Sequence, residues 1–244
     1  MFRRLEMLAK RVLAGEPTLN RVDMFGPHVR SGMSDAPTLF FEDHSEISLF
    51  KETSDTPLEY RSFLLAGEDD FFVVGGRRFH EFESYCHVEL GLGAGTVVEP
   101  ESPSNARFLP LSLRCARDTA LLKRLCKAAQ LQDKFNVVPY IGTGNAWRLG
   151  AAIASQSGAE VWVAAPPPRL TRRVNDKLWF FERVREALDV GFSPLTYSVF
   201  GPAALAARLR SLASRFARVA VKVPDSAGSL GNVMIRSETI VGSP

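Results

Sequence analysis

Two lysines in the last third of this 244-residue sequence have surroundings that suit phosphate binding. Lys177 ends the run Val-Asn-Asp-Lys, and Lys222 follows three apolar residues, Val219 to Val221. A lysine ammonium is a compact point charge that pairs well with phosphate oxygens. On a strand otherwise built for burial, a lysine also carries a desolvation cost unless it meets an anion. The two residues therefore indicate a site for a phosphate-bearing ligand.

A loop rich in serine and glycine follows Lys222. Residues 225–232 (DSAGSLGN) contain two serines, two glycines and one bulky side chain, Leu230. Such a loop lets backbone N–H groups and hydroxyls approach phosphate oxygens closely. It is longer than a two-residue hairpin turn, and it lacks the GxxxxGK[ST] spacing of a P-loop. The sequence thus predicts a phosphate site of another architecture. The alternative is that Lys222 merely lies on the open face of an edge strand.

The segments that must position these residues alternate between strand and helix patterns. Strands are predicted at residues 38–41, 71–74, 108–113, 135–141, 159–164, 194–200 and 219–223. Helices are predicted at residues 2–13, 118–130, 145–156, 175–188 and 203–218, while residues 78–92 fit either structure. The strand–helix–strand order of residues 135–164 is a βαβ unit, which implies parallel pairing and a right-handed crossover. The sequence therefore predicts an α/β protein.

The order and spacing of these features resemble those of the ATP-grasp ligases. In that family a first lysine precedes or begins a helix, a second ends a strand, and a flexible Gly/Ser-rich loop follows. The resemblance covers residues 105–244, and residues 139–143 and 158–162 look most like bacterial peptide and amino-acid ligases. It implies a small parallel Rossmann-like pre-ATP-grasp sheet followed by the N-terminal α+β lobe of an ATP-grasp fold. The implied domains are a strand-leaning region of unknown role (1–104), the pre-ATP-grasp domain (105–172) and the incomplete lobe (173–244).

The resemblance also implies an activity. ATP-grasp enzymes activate a carboxylate as an acyl-phosphate, which an amine then attacks, so the expected partners are ATP and small carboxylate and amine substrates. The residues expected to bind ATP are Lys177, Lys222, Ser226, Gly228, Ser229, Gly231 and Asn232. Mg²⁺ is the second implied cofactor. Its ligands are expected outside this chain, because the family's acidic pair and asparagine lie far beyond the loop. The chain is accordingly expected to be a fragment or a shortened product, inactive by itself.

Two other functions stay open at this point. One is a non-catalytic, ATP-grasp-like binding or scaffolding module. The other is a nucleotide-sugar or dinucleotide enzyme built on the turn Gly142-Thr-Gly144, between a strand and a helix. Trp147 occupies the third glycine position of the dinucleotide fingerprint, and no acidic residue closes the next strand. A tight βα turn is therefore the main prediction for these glycines.

Charge, hydropathy and cysteine content bear on the expected partners and location of the protein. The net charge of +3 is spread along the chain without a run of like charges, so nucleic acid is not an expected partner. No apolar run approaches the ~18 residues of a membrane span. The three cysteines, Cys86, Cys115 and Cys126, form no CxxC motif, which favours buried thiols in a reducing cytoplasm over disulfides or zinc. The strand predicted to begin at Asn232 leaves an open edge, which favours a partner such as a second copy in a homodimer.

Overall fold

The structure, a computed structural model, describes residues 2–47, 57–101, 109–188, 190–192, 194–226 and 231–241. The chain divides into two compact units. We call Val12–Arg172 the sheet unit, and Met1–Arg11 together with Arg173–Pro244 the hairpin unit.

A six-stranded sheet organises the sheet unit, and every neighbouring pair of strands in it is parallel. Its strands are β1 (Val29–Ser31), β2 (Thr38–Phe41), β3 (Phe71–Val73), β4 (Thr96–Val98), β5 (Lys134–Pro139) and β6 (Glu160–Val163). The order across the sheet is β1-β6-β5-β2-β3-β4. The chain therefore winds outward from β2 in one direction and from β5 in the other, which is a doubly wound arrangement. The predicted α/β class and parallel sheet are confirmed.

Helices precede, connect and follow these strands. In chain order they are α1 (Phe2–Gly15), α2 (His80–Leu90), α3 (Leu111–Arg117), α4 (Thr119–Gln132), α5 (Gly144–Ser157) and α6 (Pro168–Asn175), with 3-10 turns at Asp23–Phe25 and Pro57–Leu65. Helices α2 to α5 connect strands, and the boundaries between the two units fall within α1 and α6. The strand predicted at residues 108–113 is wrong, because Leu111 begins α3 after Pro110. A proline at a helix start loses no intrahelical hydrogen bond, so the alternating Leu-Pro-Leu-Ser-Leu pattern is compatible with a helix. Residue 108 itself lies outside the described residues.

The sheet draws strands from both sides of residue 104, where the sequence analysis placed a boundary between two regions. Strands β1 to β4 precede that residue and β5 and β6 follow it, with β2 directly paired to β5. Parallel neighbours need a long crossover connection, so strands that touch in such a sheet are distant in sequence. Residues 29–98 and 134–163 thus share one sheet.

Two apolar clusters cover the faces of the sheet. Successive side chains of a strand point to opposite faces, so β2 places Leu39 and Phe41 in one cluster and Phe40 in the other. The first cluster also contains Phe135, Trp147 and the buried face of α5, and the second is aromatic and includes Tyr60, Phe63 and Phe72. Fully burying one such side chain contributes about 1.5–3 kcal/mol, so these clusters are the main source of the unit's stability.

A buried polar group lies within the aromatic cluster. The hydroxyl of Tyr60 donates to Glu83 Oε1 (2.7 Å) and accepts the backbone N–H of Phe79 (2.9 Å). Arg78 Nε donates to the same carboxylate oxygen of Glu83 (3.1 Å). Burial alone raises the pKa of Glu83, but the hydrogen bonds from Arg78 and Tyr60 outweigh it and lower that pKa below its ordinary value. The charged carboxylate is thus stabilised in the folded state.

Replacing Tyr60 by phenylalanine is expected to lower the free energy of unfolding by about 1–2 kcal/mol, because Glu83 loses one of its donors and the N–H of Phe79 loses its acceptor. Urea denaturation at neutral pH measures this loss. A depressed carboxyl pKa contributes stability that is present above the unfolded-state pKa and disappears as the pH falls through the folded-state pKa. The loss of stability between neutral and acidic pH is therefore expected to be smaller in Tyr60→Phe than in the unsubstituted chain. Tyr85→Phe, at an exposed tyrosine of α2, is the control, and equal stability of both variants contradicts this account.

The hairpin unit is an α+β arrangement around two antiparallel strands, β7 (Arg218–Lys222) and β8 (Asn232–Arg236). Helices α7 (Lys177–Ala187), α8 (Pro202–Ala213) and α9 (Ser237–Val241) accompany them. The strand predicted at 194–200 is wrong: these residues are all described and belong to no strand. The helix predicted from residue 175 is interrupted at Asp176, whose carboxylate accepts the N–H of Leu178 (2.9 Å) and so caps α7.

Candidate functional site

Lys177 is the first residue of α7, and it is bonded to the chain that leaves β7. Its backbone N–H donates to the carbonyl of Pro224 (3.2 Å). Its Nζ lies within hydrogen-bond distance of the carbonyl oxygens of Val223 (3.0 Å), Pro224 (3.2 Å) and Ser226 (2.8 Å), and of Ser226 Oγ (2.8 Å). The first predicted phosphate-binding lysine is therefore held at the start of the predicted phosphate-binding loop.

Lys222 is the last residue of β7, and it stands opposite Asn232, the first residue of β8. Its side chain is exposed. Gly231 precedes Asn232 with a positive φ of 73°, a conformation that glycine adopts without strain, and its carbonyl accepts the N–H of Val223 (2.8 Å). The strand pairing thus places Lys222, Gly231 and Asn232 at one end of the hairpin, the end that also holds Ser226 and Lys177.

The structure therefore brings together five of the seven residues that the resemblance assigns to ATP binding, namely Lys177, Lys222, Ser226, Gly231 and Asn232. The remaining two, Gly228 and Ser229, lie outside the described residues. The grouping depends on a contact between the start of α7 and the loop after β7. That contact joins parts of the chain that are far apart in sequence.

The two ammonium groups influence one another. Burial lowers the pKa of Lys177, and the like charge of Lys222 lowers it further, while Asp225 and Asp176 oppose the shift. Like charges within reach of each other favour a bound anion, because an anion relieves their repulsion. The two ammonium groups therefore favour an anion at this end of the hairpin, while the carboxylate of Asp225 opposes them.

Both lysines also line one cavity of the hairpin unit, with a volume of about 370 Å³. Small-molecule sites are typically clefts of about 300–1,000 Å³ that combine apolar walls with a few polar groups. The walls here are largely apolar and come from α7, α8 and β7: Leu178, Phe181, Leu205, Leu209, Leu212, Val219 and Val221. Arg208 lies over the ring of Tyr197, 4.0 Å from its centroid, on the same wall. The cavity thus combines positively charged side chains with apolar walls.

The turn at Gly142 serves the fold of the sheet unit. A Cβ atom on Gly142 would lie 2.6 Å from the carbonyl oxygen of Pro166, so the missing side chain makes room for the protein's own backbone. Thr143 accepts the N–H of Ala146 (3.2 Å) and caps α5. Trp147 is fully buried and donates its indole N–H to Pro166 (3.1 Å). The predicted tight βα turn is confirmed.

A second polar cluster, which was not predicted from the sequence, lies at the carboxyl ends of β2 and β5. Glu42 is buried and accepts hydrogen bonds from Arg61 Nε (3.2 Å) and Nη2 (2.6 Å). His44 Nε2 is 3.4 Å from the same carboxylate, and Arg61 lies over the ring of Tyr140, 5.0 Å from its centroid. The winding of the sheet reverses between these two strands, where open α/β sheets commonly bind ligands. In the sequence, the only sign of this cluster is Glu42, an acidic residue that directly follows a buried strand.

The described residues include no group of three His, Cys, Asp or Glu side chains arranged to hold a metal ion. No helix in the described part of the chain is long and apolar enough to cross a membrane. All three cysteines are buried and free, as predicted, and burial raises the pKa of Cys115 to about 12.

The parallel order and reversed winding define the sheet unit as a doubly wound, Rossmann-like α/β domain. Comparison with protein families adds that residues 59–155 match the model of the Pre ATP-grasp domain. The match supports the predicted membership of the ATP-grasp ligase superfamily. The matched range begins before residue 105, in line with a sheet that uses strands from both sides of that residue. Neither the search of curated proteins nor that of solved structures found a match.

Proposed function

We propose that this chain provides the phosphate-binding lysines and loop of an ATP-dependent carboxylate–amine ligase of the peptide or amino-acid ligase kind, acting through an acyl-phosphate. The observation that carries the proposal is the convergence of Lys177 and Lys222 on the loop between β7 and β8. The pre-ATP-grasp domain that precedes them supports it, since that domain belongs to ligases of this superfamily.

The proposed roles follow from the chemistry of each group. Lys222, whose side chain is exposed, neutralises phosphate oxygens, and Lys177 adds a second positive charge at the same end of the hairpin. Backbone N–H groups of the loop, at Gly228, Ser229 and Gly231, donate to the terminal phosphate oxygens as part of the same proposal. Much of phosphoryl-transfer catalysis is positioning and charge stabilisation, which these groups are suited to provide. Mg²⁺ accompanies the nucleotide, and its ligation is assigned to none of the described residues.

Titration calorimetry of the 244-residue chain with MgATP tests this function. We expect MgATP to bind, and AMP to bind at least about tenfold more weakly, because each lost hydrogen bond to a charged group costs about 1.5–3 kcal/mol. NAD serves as the matched control for a dinucleotide site at the Gly142 turn. Heat from NAD but none from millimolar MgATP contradicts the proposal and favours the dinucleotide alternative. Absence of binding heat with both MgATP and NAD favours the non-catalytic module.

Two further predictions belong to this proposal. The three buried, free cysteines suit a reducing compartment, in line with the expected cytoplasmic location.

Among the described residues β8 pairs only with β7, and Val233 and Met234 on it are 57% and 66% exposed. An exposed strand edge of this kind is a pairing surface for another chain, which supports the expected homodimer.

A further inference from the structure

The ammonium of Lys177 is surrounded by acceptors from its own chain. A lysine ammonium carries three N–H donors, and four oxygen atoms of residues 223–226 lie 2.8 to 3.2 Å from Lys177 Nζ. The hydroxyl of Ser226 is also 3.3 Å from the carbonyl of Val223, so the acceptors are themselves linked. The donor capacity of this side chain is therefore filled by the loop.

Lys222 stands in contrast at the same end of the hairpin. Its side chain is exposed at the last position of β7, so its charge is available to a ligand without rearrangement of the chain. Lys177 cannot donate to a phosphate oxygen until it releases at least one of its present acceptors, because it has only three donors. Phosphate binding by Lys177 and the conformation of residues 223–226 are therefore coupled.

We propose that residues 223–226 form an autoinhibitory latch on Lys177, which nucleotide phosphate oxygens open by replacing the loop oxygens. The inference rests on the proposed function, because it concerns the regulation of the same site. A contact that is made only in the closed state competes with a ligand that binds only the open state. Where the closed state predominates, a change that weakens the latch strengthens phosphate binding by up to the same factor.

The substitution Ser226→Ala tests the latch directly. It removes the Oγ acceptor, one of the two atoms nearest to Nζ (2.8 Å), and leaves three carbonyl oxygens at 2.8 to 3.2 Å, so the latch is weakened and not abolished. We expect the dissociation constant of MgATP to fall about threefold to tenfold, in keeping with one hydrogen bond of about 1 kcal/mol. A Ser226 hydroxyl that binds phosphate predicts the reverse, a weaker complex. Unchanged or weaker binding therefore overturns the latch.

Ser214→Ala is the matched control for this measurement. Its hydroxyl donates to the carbonyl of Ser211 (2.9 Å) at the end of α8, so it makes a serine-to-backbone contact outside the loop. We expect the affinity of this variant for MgATP to equal that of the unsubstituted chain. An equal gain in both variants overturns the latch, because the effect would then not depend on Lys177.

A second readout needs no nucleotide. Acetic anhydride modifies free amines, and mass spectrometry measures the rate at each lysine. We expect acetylation of Lys177 to become at least about twofold faster in Ser226→Ala, since one of its hydrogen-bond acceptors is lost, while Lys222 is unaffected. An unchanged rate at Lys177 overturns the latch. Failure of the unsubstituted chain to bind MgATP overturns the proposed function instead, so the two outcomes are distinguishable.

Discussion

Replacing Lys222 by methionine is expected to weaken MgATP binding at least about 100-fold, since two charge-assisted hydrogen bonds of about 1.5 kcal/mol each are lost. We expect any ATP turnover that depends on this site to disappear with it. Methionine keeps the length and the apolar stem of the side chain but carries no charge. Lys222 is exposed and its backbone remains paired with Asn232, so the hairpin is expected to fold normally. Titration calorimetry measures the affinity.

Lys123→Met provides the control for the loss of one positive charge. Lys123 is an exposed residue of α4 in the sheet unit, distant in sequence from the loop after β7. We expect this variant to bind MgATP as the unsubstituted chain does, and both variants to stay within about 0.5 kcal/mol of its unfolding free energy. Full MgATP affinity in Lys222→Met would remove this lysine from the site, and the ligase assignment would lose its main support.

The elements that hold the candidate site were predictable from local patterns. The run of apolar residues up to Lys222 indicated a strand, and the Ser/Gly composition of the next residues indicated a loop. Asp118, followed by leucines at helical spacing, indicated the start of α4, and its carboxylate does accept the N–H of Leu121 (2.9 Å). Such signals act within a few residues of one another, so a single sequence contains them.

The contacts between these elements were not predictable in the same way. Lys177 reaches the carbonyl of Ser226 only because α7 docks beside the end of β7, and no local pattern encodes that docking. Glu42, Arg61 and Tyr140 come from three separate segments that the strand order brings to one edge. Neighbours in a parallel sheet are distant in sequence, so spacing does not reveal which polar side chains meet there.

Replacing Trp147 by alanine is expected to lower the free energy of unfolding by about 3–5 kcal/mol, the range for removing a large aromatic side chain from a core. Trp147 is fully buried in the cluster that covers one face of the sheet. Its ring centroid lies 5.2 Å from that of Phe25, and its indole N–H donates to the carbonyl of Pro166. The substitution removes both the packing and the hydrogen bond. Urea denaturation followed by circular dichroism measures the loss.

Two comparison variants separate the contribution of ring packing from that of the indole hydrogen bond. Trp147→Phe retains much of the ring packing but loses the indole N–H, so we expect a smaller loss of about 1–3 kcal/mol. Trp162→Ala removes a partly exposed tryptophan of β6, whose indole N–H donates to Glu160, and is expected to cost less than Trp147→Ala. Equal losses at both tryptophans contradict the packing account. Trp147 also fills the third glycine position of a dinucleotide fingerprint. A large loss of stability without any change in NAD binding therefore indicates that this turn serves the fold and not a dinucleotide site.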